Sequence, residues 1–205
     1  MLTISRLEAG WLSVKKQIER APDDKLVYPT HPFSTEFCAR LARLPSGFSD
    51  LALNGELSIQ FIGIIEDVTV WDQNIRTEAT EKSPGTEVGL LLNLPTIKPT
   101  EAFLGMTFLA YIAFEERKFS RSNPALEGTL ERYSEGIMHD QDTWDLKTED
   151  VFAWGILMLM VITDSKSELH RWARGLLTEI KPTDKKKAEL EKAFFAIPAT
   201  LASEK

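Results

Sequence analysis

The densest cluster of polar side chains in the 205-residue chain lies at residues 135–150, which read EGIMHDQDTWDLKTED. From residue 127 to residue 150 there are eight acidic and two basic residues, which gives this stretch a charge of −6. Carboxylate and imidazole groups at short spacing could bind a metal ion or transfer protons in a reaction. The candidates for such a centre are His139, Asp140, Asp142 and Asp145.

The spacing of these residues does not complete a known chemical motif. The pattern D-x-D-x-x-D has neither the central glycine nor the distal glutamate of a calcium loop. A His–Asp hydrolase would need further histidines, and only His31 and His170 remain, each in an unrelated context. The chain also lacks a G-x-S-x-G motif, a P-loop and a dinucleotide-binding glycine pattern. We therefore predict no catalytic residue, no metal site and no cofactor.

The acidic stretch has two other interpretations. As an interaction segment it would alternate apolar side chains with carboxylates, which is typical of acidic segments that bind proteins. The residues expected to contact a partner are Met138, Asp140, Asp142, Trp144 and Asp145. The plainer interpretation is a solvated acidic loop over 135–150, anchored to the domain by Trp144 and Leu146, and this is the commoner behaviour of such segments.

Composition limits the remaining functions. The net charge of −7 argues against general nucleic-acid binding, which needs a cationic surface. The single cysteine, Cys38, excludes an intramolecular disulfide and a zinc site with several thiolates, and we expect it to be a small core residue. Residues 185–187, all lysine, could serve nuclear import or phosphate contact, but a solvated helix face is the default interpretation.

Apolar periodicity predicts an all-α protein with roughly eight or nine helices in a single irregular domain over residues 1–205. Ser34 or Thr35, Ser58, and Ser165 with Glu168 are predicted helix caps, Asn54-Gly55 a helix end and Pro124 a helix start. Residues 73–99 are expected to form a looser connection. The main helices are predicted at 3–20, 46–53, 101–117, 151–163 and 184–196.

The helix predicted at 101–117 carries apolar side chains around nearly its whole circumference, so it should be central in the core. Its aromatic residues could line an apolar cavity for a small molecule, although a filled core is the favoured interpretation. The residues concerned are Phe103, Phe108, Tyr111 and Phe114. Residues 151–162 are the most apolar run, but they are too few to span a bilayer, so no membrane partner is expected.

Residues 41–71, LARLPSGFSDLALNGELSIQFIGIIEDVTVW, contain a Leu-Pro-x-Gly-Phe-x-x-Leu-Ala corner followed by a Leu-Ser helix start. Residues 151–177, VFAWGILMLMVITDSKSELHRWARGLL, pair a Trp-bearing apolar helix with a second helix that carries Trp172 near its start. Together these segments resemble the C-terminal helical part of the fungal-specific transcription factor domain, which follows zinc-cluster DNA-binding modules.

The resemblance implies a non-enzymatic regulatory or protein-interaction module; the alternative is a helical small-molecule binder of the inducer type. A zinc cluster needs six cysteines, so direct DNA binding by that route is excluded. A protein partner or self-association, and a small-molecule effector, are the expected interactions. The first residues lack the apolar core of a signal peptide, so we expect an intracellular protein, nuclear or cytoplasmic.

Overall fold

The computed structural model describes residues 25–75, 83–94, 97–118, 124–139 and 150–195. Within these ranges the chain forms nine helices and no strand, which confirms the predicted all-α class. The helix predicted at 3–20 lies outside them. Numbered α1 to α9 in chain order, the helices are Thr35–Leu41, Ser46–Leu53, Ile59–Ile75, Gly85–Leu92, Pro99–Lys118, Pro124–His139, Asp150–Ile162, Glu168–Ile180 and Asp184–Ala193.

Helix α5 is the centre of the described fold, as its apolar pattern predicts. It packs against α4, α6 and α7, and buried side chains lie on all of its sides. Helix α7 in turn packs against α8 and α9. No helix in the described part of the chain is long and apolar enough to cross a membrane.

The corner at residues 41–62 is a packing device. Phe48 of α2 is fully buried, and its ring centroid lies 5.7 Å from that of Trp154 and 5.0 Å from that of Phe194. Gly47 is required beside it, because a Cβ there would lie 2.4 Å from the Phe194 ring. The indole N–H of Trp154 donates to the carbonyl oxygen of Phe195 at 2.9 Å. The corner and the segment after α9 therefore close one aromatic cluster.

Several helix ends agree with the sequence predictions. Ser34 Oγ accepts the N–H of Phe37 at 3.2 Å, and Ser58 Oγ accepts the N–H of Phe61 at 3.1 Å. Gly55 has a φ of 73°, the left-handed conformation that glycine adopts after a helix. Local capping chemistry thus fixes where α1, α2 and α3 begin or end.

The predicted cap of α8 is wrong. Ser165 lies in a turn, and the N-cap is Ser167, whose Oγ accepts the N–H of His170 at 3.1 Å. Asp164 Oδ1 accepts the N–H of Lys166 at 2.8 Å and stabilises that turn. The helix consequently begins later than the capping-box pattern indicates.

Residues 85–92 differ from the loose connection expected over 73–99, because they form α4. Val88, Leu91 and Leu92 of this helix are buried. Leu92 packs so closely on α5 that a Cβ at Gly105 would lie 2.7 Å from its Cδ2. The run of leucines is short and flanked by turn residues, so only its burial against α5 makes the helix stable.

Cys38 is exposed, which corrects the expectation of a core residue. Helix α1 turns Leu41 and, in part, Phe37 towards the core. These two residues are four apart and share a face, whereas Cys38 lies about 100° around the helix from Phe37. Trp172 of α8 is half-buried at the edge of the core.

Two helical glycines should respond oppositely to alanine. A Cβ at Gly155 would lie 2.4 Å from Cε1 of the buried Phe103 ring, so we expect Gly155→Ala to lower the free energy of unfolding by about 1–3 kcal/mol. At Gly175 no atom lies within 4 Å of the added Cβ, and Gly175→Ala should raise it by about 0.5–1 kcal/mol. Urea denaturation followed by circular dichroism measures both. A Gly155→Ala variant as stable as the native chain would contradict this packing.

Candidate functional site

A cleft of about 520 Å³ lies between α5, α6 and the turn that joins α7 to α8. Its floor is mostly apolar and is made of buried residues from all three elements. These are Ala110, Ala113, Ser134, Ile162 and Leu169. Met138 stands half-buried in the wall that α6 contributes. We call this site the acidic cleft because of its rim.

Exposed charged residues surround the floor of the acidic cleft. Helix α6 contributes Glu131 and Glu135, and the opposite side contributes Asp164 and Glu168. Among the described lining residues the only cation is Arg117 of α5. The rim therefore holds four carboxylates and one guanidinium, a formal charge of −3. A concave surface with one dominant sign of charge attracts ligands of the opposite sign.

The turn that forms one wall of the acidic cleft is held by its own hydrogen bonds. The carbonyl oxygen of Asp164 accepts the N–H of Ser167 at 2.9 Å and its Oγ–H at 2.7 Å. Thr163 Oγ1 donates to the carbonyl oxygen of Leu159 at 2.6 Å. These bonds fix the backbone from which Asp164 and Glu168 project, so the acidic side of the cleft is preorganised.

The structure places one predicted interaction residue, Met138, in the wall of the acidic cleft. The other four, Asp140, Asp142, Trp144 and Asp145, lie outside the described residues, as does the His139 side chain. In the described part of the chain no three His, Cys, Asp or Glu residues are grouped to bind a metal ion.

The four aromatic residues that could line a small-molecule cavity do not line the acidic cleft. Phe108 is buried, with its ring centroid 6.0 Å from Phe61 and 6.3 Å from Trp154. The ring of Phe103 lies 4.8 Å from Phe152. The Tyr111 hydroxyl donates to Asp72, and Lys118 Nζ lies 4.1 Å from the centre of the half-buried Phe114 ring. This packing favours the filled-core interpretation.

The buried carboxylate of Glu101 could be mistaken for a catalytic group, but its hydrogen-bond donors are groups of the protein itself. Glu101 is fully buried and accepts the N–H of Ser58 at 2.6 Å and the hydroxyl of Tyr28. Burial, together with this carboxylate, raises the pKa of Tyr28, so the hydroxyl stays protonated and donates. Lys98 Nζ lies over the ring of Tyr28 and donates to the carbonyl oxygen of Gly55 at 2.7 Å. The side chains of Glu101, Tyr28 and Lys98 and the backbone N–H of Ser58 form what we call the Glu101 network, which joins three chain segments.

The sequence could not reveal either arrangement in full. Glu101 looks like any acidic residue in the first turn of a helix. Glu131 and Glu135 belong to an acidic stretch, but only the fold brings them opposite Asp164 and Glu168. The sequence does predict Met138 as a contact residue, because it is an apolar residue at the start of a run of carboxylates.

Comparison of the chain with family models, with curated proteins and with solved structures gives no match. The resemblance of residues 41–71 and 151–177 to fungal regulators stays a prediction. The two segments do meet in the fold, because Phe48 of the first packs on Trp154 of the second.

Asp67 forms a second acidic group, between α3 and α4. Burial, then the neighbouring carboxylates of Glu66 and Glu87, raise its pKa to about 6, against a lowering by Arg40. Glu66 is itself paired with Arg40 at 2.7 Å. The folded protein therefore holds a proton on Asp67 at a pH where the unfolded chain has lost it.

The pH dependence of stability follows from that pKa. Between the ordinary value of 3.8 and about 6 the folded state binds more protons, so stability falls as the pH rises through this window. We expect Asp67→Asn to raise the free energy of unfolding at pH 8 by about 1 kcal/mol, reduced for partial exposure. The gain should vanish towards pH 4. Urea denaturation at both pH values measures it, with exposed Asp50→Asn as control. An equal gain at both pH values would refute the assignment.

Proposed function

We propose that this chain is a non-enzymatic helical regulatory and protein-interaction module, resembling the C-terminal part of a fungal transcription factor regulatory domain. The observation that supports it is the acidic cleft. Its apolar floor and charged rim have the arrangement of an interface centre with a polar periphery. Met138 connects the cleft in sequence to the other predicted interaction residues, Asp140, Asp142, Trp144 and Asp145.

The cleft also offers a mechanism for regulation. Its walls belong to three separate elements, of which α6 packs on both α5 and α8. A partner that contacts all three walls would favour one packing of α6 over others, and would thereby shift the population of states. Methionine in the wall suits such a surface, because its flexible side chain adapts to different partners.

The proposed module does not itself bind DNA through a zinc cluster. The chain has one cysteine, so a zinc cluster of its own is excluded. The proposed module would act in the nucleus or the cytoplasm by binding a protein partner or a second copy of itself.

A small-molecule effector is the second candidate, and the size of the cleft favours it. A volume of about 520 Å³ is within the range of roughly 300–1,000 Å³ that is usual for small-ligand sites. The rim would select a ligand with a cationic group, because four carboxylates face one guanidinium.

The proposed regulatory function can be tested in fungal cells. The full chain would be fused to a heterologous DNA-binding module, and transcription of a reporter gene measured. We expect the fusion to change reporter output relative to the DNA-binding module alone. Met138→Ala and Trp144→Ala should each reduce that change, because they remove apolar contacts with the partner.

The matched control is Leu90→Ala, which truncates a side chain that is 64% exposed and does not line the cleft. It should leave reporter output unchanged. Thermal unfolding of each variant shows whether the fold is intact. A fusion whose output equals that of the DNA-binding module alone would contradict the proposed function.

A further inference from the structure

We propose that the acidic cleft binds a basic amphipathic helix of a partner protein. This inference rests on the proposed interaction function and specifies the chemistry of the partner. It depends on three features of the site: the placement of its charges, the character of its floor and its size.

The charges lie on both sides of the floor. Glu131 and Glu135 stand on the α6 side, and Asp164 and Glu168 on the α7–α8 side. A ligand lying between them meets carboxylates along both of its flanks. Lysine or arginine on both edges of an apolar stripe satisfies this arrangement, whereas an acidic ligand would be repelled. All four residues are exposed, so pairing at the rim needs little desolvation.

In the sequence, negative charge continues directly after α6. Residues 140–149, which follow α6, contain four acidic residues and one lysine, a charge of −3. Opposite charges on the two partners speed association and select against acidic competitors.

The elements around the floor favour a helix over a peptide that binds as an added β-strand. A peptide that binds by strand addition needs an exposed sheet edge, and the described part of the chain contains no strand. The cleft is instead walled by two helices and by a turn with its own hydrogen bonds. A ligand helix also satisfies its own backbone and needs only to bury side chains at i, i+3 or i+4, and i+7.

The size of the cleft matches one face of such a helix. Two turns of a helix are about 11 Å long and 11 Å wide, and displace on the order of 1,000 Å³. The cleft, at about 520 Å³, is too small for the whole helix but has room for the apolar side chains of one face. The apolar face would lie on Ile162, Leu169 and Met138, while the basic flanks stay at the rim.

The test uses the full chain and a fluorescein-labelled synthetic peptide of about 18 residues, with leucine at helical spacing and lysine elsewhere. Fluorescence anisotropy at about 0.15 M salt measures its affinity. We expect a dissociation constant in the micromolar range, and a loss of about tenfold in the double variant Glu131→Gln, Glu168→Gln. A peptide of the same composition with its leucines scrambled should bind about tenfold more weakly.

The matched control is the double variant Asp50→Asn, Glu189→Gln, which changes the net charge equally at exposed residues outside the cleft. It should retain the native affinity within about twofold. Equal losses in the two double variants, or equal binding of the scrambled peptide, would show attraction by net charge alone and overturn the proposal. Thermal unfolding of both variants verifies their folds.

Two further probes decide the source of the ligand. Displacement of the peptide by a simple cationic amphiphile of equal affinity would assign the cleft to a small molecule. Tighter binding of a peptide of residues 3–20, whose sequence carries apolar residues at helical spacing and a net charge of +2, would assign it to this chain itself. Either result overturns the proposal of a partner helix.

The peptide and the reporter experiments fail separately. A cleft that binds no basic helix, in a chain whose reporter activity still depends on Met138, would refute the partner class and leave the proposed function standing. A chain with no reporter activity would refute the regulatory function, whatever the peptide does.

Discussion

A polar group on a helix that is buried on nearly all sides costs free energy unless it finds a partner inside the protein. Helix α5 is such a helix, and its first turn carries the fully buried Glu101. The Ser58 N–H and the Tyr28 hydroxyl supply hydrogen bonds to that carboxylate. A buried donor left without its acceptor costs about 1–3 kcal/mol, so the carboxylate ties the segment before α1 and the start of α3 to the central helix.

The two ends of α5 have different roles as a consequence. Its first turn is enclosed by the Glu101 network, and its middle packs through Phe103 and Phe108 on α7 and α2. Its last turns pass beneath the acidic cleft, where Ala113 forms part of the floor and Arg117 reaches the rim. The small alanine side chains keep this end open, while larger ones fill the core below. The packed first turns of α5 thus hold in position the last turns, which form the floor of the acidic cleft.

Local chemistry was enough to predict much of this architecture. The caps at Ser34 and Ser58 and the glycine at 55 follow from rules that act within a few residues. The late start of α8 comes from local hydrogen bonds that favour Ser167 over Ser165 as its cap. Helix α4 and the exposed side of Cys38 depend instead on which neighbour covers which face, and a single sequence does not contain that information directly. The acidic cleft lies in the same class, because its rim joins residues from α6 with residues more than twenty positions later.

The position of Phe194 and Phe195 has a consequence for synthesis on the ribosome. Their rings complete the aromatic cluster around Phe48 and Trp154, and the Phe195 carbonyl accepts the indole N–H of Trp154. Helices α2, α5 and α7 are all translated before these residues exist. The nascent chain must therefore keep large aromatic surfaces uncovered until residue 195 has emerged, a period in which chaperones have access to it and aggregation competes with folding.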